Sequence, residues 1–334
     1  MAVPYEKGKP GQRQSVSLFP YEQTVLHDPH TNKRYYTIDH YFQNKYHAKT
    51  AKVPLHAGFT CPNRDGTKGR GGCAFCSELG SGDTILAYHD TLQQQYELGL
   101  ARMRSKWPDC IGIAYFQSFT NTYAPLDTLK KLYDPFFERS DVAGVCIATR
   151  ADCLDDEMIA YFAEKAQHKE VWIELGLQSI HDQTMDRLNR GHSSQIVFDV
   201  IERLKPTPVK TCVHLINSLP GETEEMMLET VQKMADIHPD AIKIHMLHVI
   251  QNSALGRLYN SHPFPLMSEK EYVDLVVKQL ELLPQDMIIE RLTGDALKEE
   301  LIAPAWTLKK TIVLNDIDKR MVELDTYQGK CYKA

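Results

Sequence analysis

Residues 143–177 read AGVCIATRADCLDDEMIAYFAEKAQHKEVWIELGL. The segment opens on an apolar run. It passes through an amphipathic middle that follows Asp155 and Asp156 through Met158, Ile159 and Phe162, and it closes on a second apolar run. Both ends are apolar on either face, as strands of a parallel sheet covered by helices must be, and the middle carries a helical period. The segment therefore predicts a strand, a crossover helix and a second, parallel strand.

The same alternation continues in both directions. Further strand-like runs lie at 52–57 (KVPLHA), 110–116 (CIGIAYF), 209–216 (VKTCVHLI) and 241–247 (AIKIHML). Helical patterns run from Asp90, a candidate N-cap, to Trp107, and over 125–138, 193–204 and 268–283. Another begins after Gly221, where Glu222, Glu224 and Glu225 match the dipole of a first turn. Six β–α units in strict alternation predict an α/β fold, a partial (β/α)6 TIM-like barrel over residues 46–284, open at one side to a large substrate. Residues 1–45 are polar and aromatic with weak periodicity. Residues 285–334 hold one more strand-like run, Met287–Leu292, and a helical tail. Both are expected as N- and C-terminal extensions packed on the barrel.

The 334 residues carry a net charge of −6, which argues against a large nucleic-acid footprint while leaving room for a local basic groove. No run of about 18 apolar residues is present, so no membrane span is expected. The first residues, MAVPYEKGKPGQRQ, lack the apolar core of a secretory signal, so the expected compartment is the cytoplasm. Eight cysteines in a reducing compartment do not predict disulfides. Cys110, Cys146, Cys153, Cys212 and Cys331 are scattered and read as small buried hydrophobes.

The other three are grouped. Residues 58–83, GFTCPNRDGTKGRGGCAFCSELGSGD, follow the first strand and place Cys61, Cys73 and Cys76 as C-x11-C-x2-C. In an α/β barrel this is a loop of the active face. Thiolates suit zinc or an iron–sulfur cluster. Structural zinc asks for a fourth ligand, and only His56, inside the strand, is at hand. A cubane held by three cysteines leaves one iron open, as a catalytic metal keeps a position for its substrate.

Polar residues recur at the other strand ends: QSFTNTY (117–123), TRADCL (149–154), ELGLQSIHDQTMDRLNRGH (174–192), HLINSLPGET (214–223), KIHMLHVI (243–250) and RLTGDA (291–296). Glu174 and Gln178 inside an apolar strand need partners. Lys243 and His245, two apart, share a face.

On these motifs the chain resembles the radical S-adenosylmethionine (SAM) superfamily, whose cluster loop ends in C-x-aromatic-C as CAFC does here. Within it, the E-L-G-x-Q-S and R-G-H elements resemble the branch of the Elongator catalytic subunit and, most closely, the YhcC/YtqA-like family of short bacterial proteins. The resemblance runs from about Tyr35 to Trp306. It implies a 4Fe–4S cluster on Cys61, Cys73 and Cys76, and SAM contacts from Gln117, Thr120, Arg150, Asp152, Glu174, Gln178 and Arg190. Substrate contacts would come from Lys243, His245 and Arg291, with Arg291 or Lys243 taking an anion. It assigns no catalytic side chain.

The resemblance further implies an electron donor of the flavodoxin or ferredoxin type and a tRNA substrate, whose wobble uridine would be carried from 5-carboxymethylaminomethyl to 5-aminomethyl. Lys45, Lys49, Lys52, Arg64, Lys68 and Arg70 are expected around the barrel mouth, where a splayed base would enter; Arg102, Arg104 and Lys106 form a second basic group. Two alternatives stand: a radical SAM oxidation or decarboxylation of a small molecule, and a zinc-stabilised tRNA-binding module without catalysis.

Overall fold

The computed structural model describes residues 31, 33–77, 80 and 91–333. Seven parallel strands form one curled sheet in the order β1 (Thr50–Leu55), β2 (Ile111–Phe116), β3 (Val142–Thr149), β4 (Glu170–Gln178), β5 (Lys210–Asn217), β6 (Ala241–Met246) and β8 (Ile288–Arg291). The six expected strands are all present. The seventh is the strand-like run near Met287, and it pairs parallel with β6. Val249–Ile250 (β7) and Leu301–Ala303 (β9) make a separate antiparallel pair.

The helices are α1 (Ile38–Tyr46), α2 (Leu92–Lys106), α3 (Leu126–Glu138), α4 (Asp156–Lys165), α5 (Asp182–Arg187), α6 (Ser194–Leu204), α7 (Glu224–Ile237), α8 (Ala254–Ser261), α9 (Glu269–Leu282) and α10 (Lys310–Glu323). Their starts follow their caps. Thr91 closes a capping box with Gln94 at the head of α2, while Asp90 lies outside the described residues. Ser268 and Glu271 form the same device on α9. The main core lies between sheet and helices, with Val53, Phe116, Ile147, Ile173, Val213 and Ile244 fully buried.

The inside of the barrel is layered. At the N-terminal ends of the strands an apolar layer of Ile113, Cys146, Trp172, Cys212, Ala241 and Ile288 is closed from below by Phe42 of α1. That helix was hidden by weak periodicity. Its inward side is aromatic, and Tyr41 donates a 2.6 Å hydrogen bond to Glu170 at the start of β4. No helix among the described residues is long and apolar enough to cross a membrane.

Candidate active site

One step above the apolar layer, six strands each contribute one polar side chain. Lys243 Nζ lies 2.6 Å from Glu174 and 2.8 Å from Glu290, and Lys52 Nζ lies 2.8 Å from Glu174. Tyr115 donates to Glu174 at 2.7 Å, and His214 meets the same carboxylate at 3.0 Å. Burial alone would raise the Glu174 and Glu290 carboxyls, yet Lys243 and Lys52 hold both below the ordinary range. Two cations face two anions, so this layer is a neutral floor. Lys52 therefore belongs to the interior. Lys45 pairs with Glu170 and Lys49 with Asp39, both at the N-terminal end of the barrel, so only Arg64, Lys68 and Arg70 of the first basic group stand on the cluster loop at the active face. The difference arises because a charge in a short strand reads the same whether it faces water or a partner.

Above the floor a cavity is lined by Cys61, Cys73 and Cys76 together with Gln117, Thr120, Arg150, Gln178 and Arg190. It is continuous, through Phe75, Gln178, His214, His245 and Arg291, with a deeper recess that reaches His248, Asp295 and Glu300. The cysteine loop folds on itself: Cys61 O accepts from Arg64 N at 2.8 Å, Pro62 O from Lys68 N at 2.8 Å, and Asn63 O from Gly72 N at 2.8 Å. Gly72 sits at φ +77°, and a Cβ there would lie 2.9 Å from Arg64 Nε. Cys76 N closes the C-x2-C turn on Cys73 O at 3.0 Å. Leu188, Asn189 and Arg190 grip the loop from the other side: Leu188 O accepts from Ala74 N, Asn189 Nδ2 donates to Gly72 O at 2.8 Å, and Arg190 reaches Cys73 Sγ at 3.7 Å.

The remaining candidates are distributed as follows. Gln117 and Thr120 line the cavity at the end of β2. There Asn121 donates to the carbonyls of Phe116, Ser118 and Ala148, which shapes the turn. Arg150 lines the cavity but forks onto Asp152, with Nε–Oδ1 at 2.9 Å and Nη2–Oδ2 at 3.0 Å. Asp152 also takes Lys68 at 2.6 Å and faces a groove outside the cavity, beside Thr67 and Cys153. Burial opposes its ionisation, but Arg150 and Lys68 hold its carboxyl well below the usual range. Glu174 lies in the floor at the base of the cavity, and Gln178 faces both parts of the cavity from a backbone at φ +72°. Asn217 turns away from the ligand side and exchanges two hydrogen bonds with Gln279 of α9, at 2.8 and 2.9 Å.

Lys243 and His245 share the interior face of β6. Arg291 lines both parts of the cavity; it pairs with Asp295, which also takes Lys310 at 2.6 Å. His245 and His248 are held neutral by burial and then by Arg291, His248 with a value lowered to about 4. The Nε2 atoms of both are buried without a partner among the described residues.

Sequence reasoning did not single out Tyr115, Glu290 or Asn63. The first two carry the signal that exposed Glu174, a polar side chain in an apolar strand; Asn63 carries none.

The donor set fits a cubane. Three thiols line one cavity with the guanidinium groups of Arg150 and Arg190 beside them, which suits a cluster of net negative charge. Among the described residues no three His, Cys, Asp or Glu side chains converge on one ion position. A cubane gives each thiolate its own iron.

A chain with this half-barrel and this loop belongs to the radical SAM superfamily, whose family model matches residues 66–234; a Radical_SAM C-terminal domain model matches 239–323. Its particular family is the YhcC/YtqA-like one. The chain is 40% identical to YtqA of Bacillus subtilis over 315 residues, 94% of this chain and 96% of that protein. It is also similar to the tRNA uridine(34) acetyltransferase of Methanocaldococcus infernus, 26% identical over 155 residues, 46% of this chain and 28% of that one. The solved structure of the N-terminally truncated Elp3 from Methanocaldococcus infernus shares the fold at a TM-score of 0.61 and 17% identity, covering 84% of this chain; the chain spans 64% of that one. The protein is accordingly a radical SAM enzyme, and its cofactors are a 4Fe–4S cluster and SAM.

Proposed function

We propose that this enzyme modifies the wobble uridine of tRNA, helping to convert 5-carboxymethylaminomethyluridine to 5-aminomethyluridine. Cys61, Cys73 and Cys76 hold the cluster, and Gln117, Thr120, Gln178 and Arg190 surround SAM. When bound, the two cofactors supply a 5′-deoxyadenosyl radical that removes a hydrogen atom from an unactivated C–H bond. The chain's own groups bind and orient the substrate and exclude water.

The observation that carries this reading is the recess next to the cysteines. Arg291 lines it, and the carboxylate it pairs with, Asp295, is shared with Lys310; His245 and His248 beside it are neutral. A guanidinium beside two neutral imidazoles suits a small carboxylate carried on one base of a larger substrate. Lys243, the other candidate, is engaged by two carboxylates, so the anion falls to Arg291. The similarity to a tRNA uridine(34) acetyltransferase supports tRNA as the bearer of that carboxylate.

Nucleosides digested from bulk tRNA of cells with and without the gene provide the test. Cells lacking it should accumulate 5-carboxymethylaminomethyluridine. The natural chain should reverse this, and Arg291→Ala should not, while keeping the cluster's absorption. Identical nucleoside profiles would remove tRNA from the account.

A further inference from the structure

Asn63 is fully buried, lies midway in the cysteine loop, and is not needed for any step above. Its Nδ2 donates to Asn189 O and, at 3.6 Å, to Cys73 Sγ. Both neighbours are acceptors, so the amide nitrogen must face them. Its Oδ1 is buried without a partner among the described residues. Space for this side chain is made by two glycines from different segments: a Cβ at Gly69 would lie 2.1 Å from Oδ1, and one at Gly191 would lie 3.0 Å from it. Arg190 approaches the same sulfur from the opposite segment, with Nη1 at 3.7 Å, while its Nη2 is anchored on Gly176 O. Gly176 permits that approach, since a Cβ there would sit 3.2 Å from Nη2. Arg150 fixes the segment by donating to Arg190 O at 2.9 Å. Among the described residues, side-chain nitrogens thus converge on one of the three sulfurs, and a buried amide is held there at the cost of an unpaired oxygen.

We propose that Asn63 and Arg190 are positioning residues that set the reduction potential of the cluster through paired N–H···S hydrogen bonds to Cys73. This rests on Cys73 being a cluster ligand. Reduction adds negative charge to the cluster and its sulfurs, so donors aimed at a ligand sulfur favour the reduced form and raise the potential. Burial of the site strengthens each bond, because water does not compete for the sulfur.

The full chain, reconstituted anaerobically, would be titrated with mediators while the reduced cluster is followed by electron paramagnetic resonance. Asn63→Leu removes one donor without changing charge, and Arg190→Met removes the other together with its charge. Both should keep the iron and sulfide content of the natural chain and titrate at a lower midpoint, Arg190→Met lower than Asn63→Leu. Arg190→Lys, which keeps the charge and one donor group, should fall between Arg190→Met and the natural chain. Midpoints equal to that of the natural chain in loaded Asn63→Leu and Arg190→Met would overturn the proposal. So would loss of the cluster from both variants, since the contacts would then be scaffolding. A Cys73→Ala chain that retained a full cluster would instead fail the ligand assignment itself.

Discussion

The floor of the barrel and the cavity above it are built from the same strands, one pleat apart, and treat polar atoms in opposite ways. On β6 the floor residue is Lys243 and the cavity residue His245; on β2 they are Tyr115 and Gln117. In the floor every charge faces an opposite charge within 3 Å, as Lys243 does with Glu174 at 2.6 Å and Glu290 at 2.8 Å. In the cavity, His245 Nε2, His248 Nε2 and Arg190 Nε are buried without partners among the described residues. Buried polar groups ordinarily find a partner. In the floor Glu290 Oε2 lacks one among the described residues, but its carboxylate is held through Oε1 by Lys52 and Lys243, whereas the cavity gathers several unpaired nitrogens and reads as a place prepared for ligands. The two lysines of the floor, by chemistry alone, are as good anion binders as Arg291. Each is held by two buried carboxylates, whereas Arg291 shares a single, partly exposed one, Asp295, with Lys310.

The widest separation between the layers should appear in stability. Lys243→Ala leaves Glu174 and Glu290 to share Lys52, and breaking a buried pair in this way costs about 3–5 kcal/mol. Arg291→Ala, at the cavity wall, should cost about 1 kcal/mol, the ordinary loss for a substitution. Urea unfolding of the cluster-free chain measures both. Equal losses would mean that the layers do not differ.

A smaller effect separates them by pH. Burial, then Arg190 for His192 and Arg291 for His248, lowers both histidines to about 4, and His245 is lowered by the same causes as His248. Their unfolded value is about 6.5, so as the pH falls below that the unfolded chain binds protons first. Stability is then lost at up to about 1.4 kcal/mol per pH unit for each histidine. The floor carboxyls of Glu174 and Glu290 are depressed instead. Their contribution is present above about pH 4.3 and drains away only as the pH drops through their folded values. Urea midpoints from pH 8 down to about pH 2 should therefore decline in two limbs, the histidine limb below about pH 6.5 and the carboxylate limb below about pH 4.3. His248→Gln should flatten the upper limb and leave the lower one; a level profile between pH 7 and pH 5 would contradict the neutral burial of these rings.

The strands were legible because burial on both faces demands apolar, β-branched runs, and each expected run became a strand of the sheet. The cysteine loop was legible from spacing, and the polar strand ends from their cost in an apolar setting. What escaped was pairing at long range. Lys52 meets Glu290 and Glu174 across the barrel, and nothing near KVPLHA announces either partner. Asn63 depends on Asn189 and on room left by Gly191, contacts made by folding rather than by any local pattern. Helix α1 escaped for a related reason: its apolar side is a set of aromatic rings, Tyr41, Phe42 and Tyr46, that pack around Trp172 and a strand end instead of forming a regular stripe.

The slightest expected effect compares the two ends of the barrel. Arg70 is exposed on the cysteine loop at the active face, and Lys106 ends α2 beside Trp107, with Nζ 4.4 Å from the ring centroid, ahead of the N-terminal end of β2. The 15 residues of α2 separate that end from the face where the loop opens, a length of about 22 Å at 1.5 Å per residue. On the proposed reading, a tRNA presenting its wobble base to the recess would lay phosphates along the cysteine loop near Arg70, and each neutralised phosphate releases counterions. Arg70→Ala should therefore weaken tRNA binding by a few-fold and lower the slope of log K against log salt by about 0.7–0.9, the share of one contact. Lys106→Ala should change neither, since its ammonium already rests on an aromatic face at the wrong end. Filter binding over a salt series reads both slopes. If the Lys106 variant lost the contact and the Arg70 variant kept it, the nucleic acid would be docking on the plugged end of the barrel, away from the cysteines.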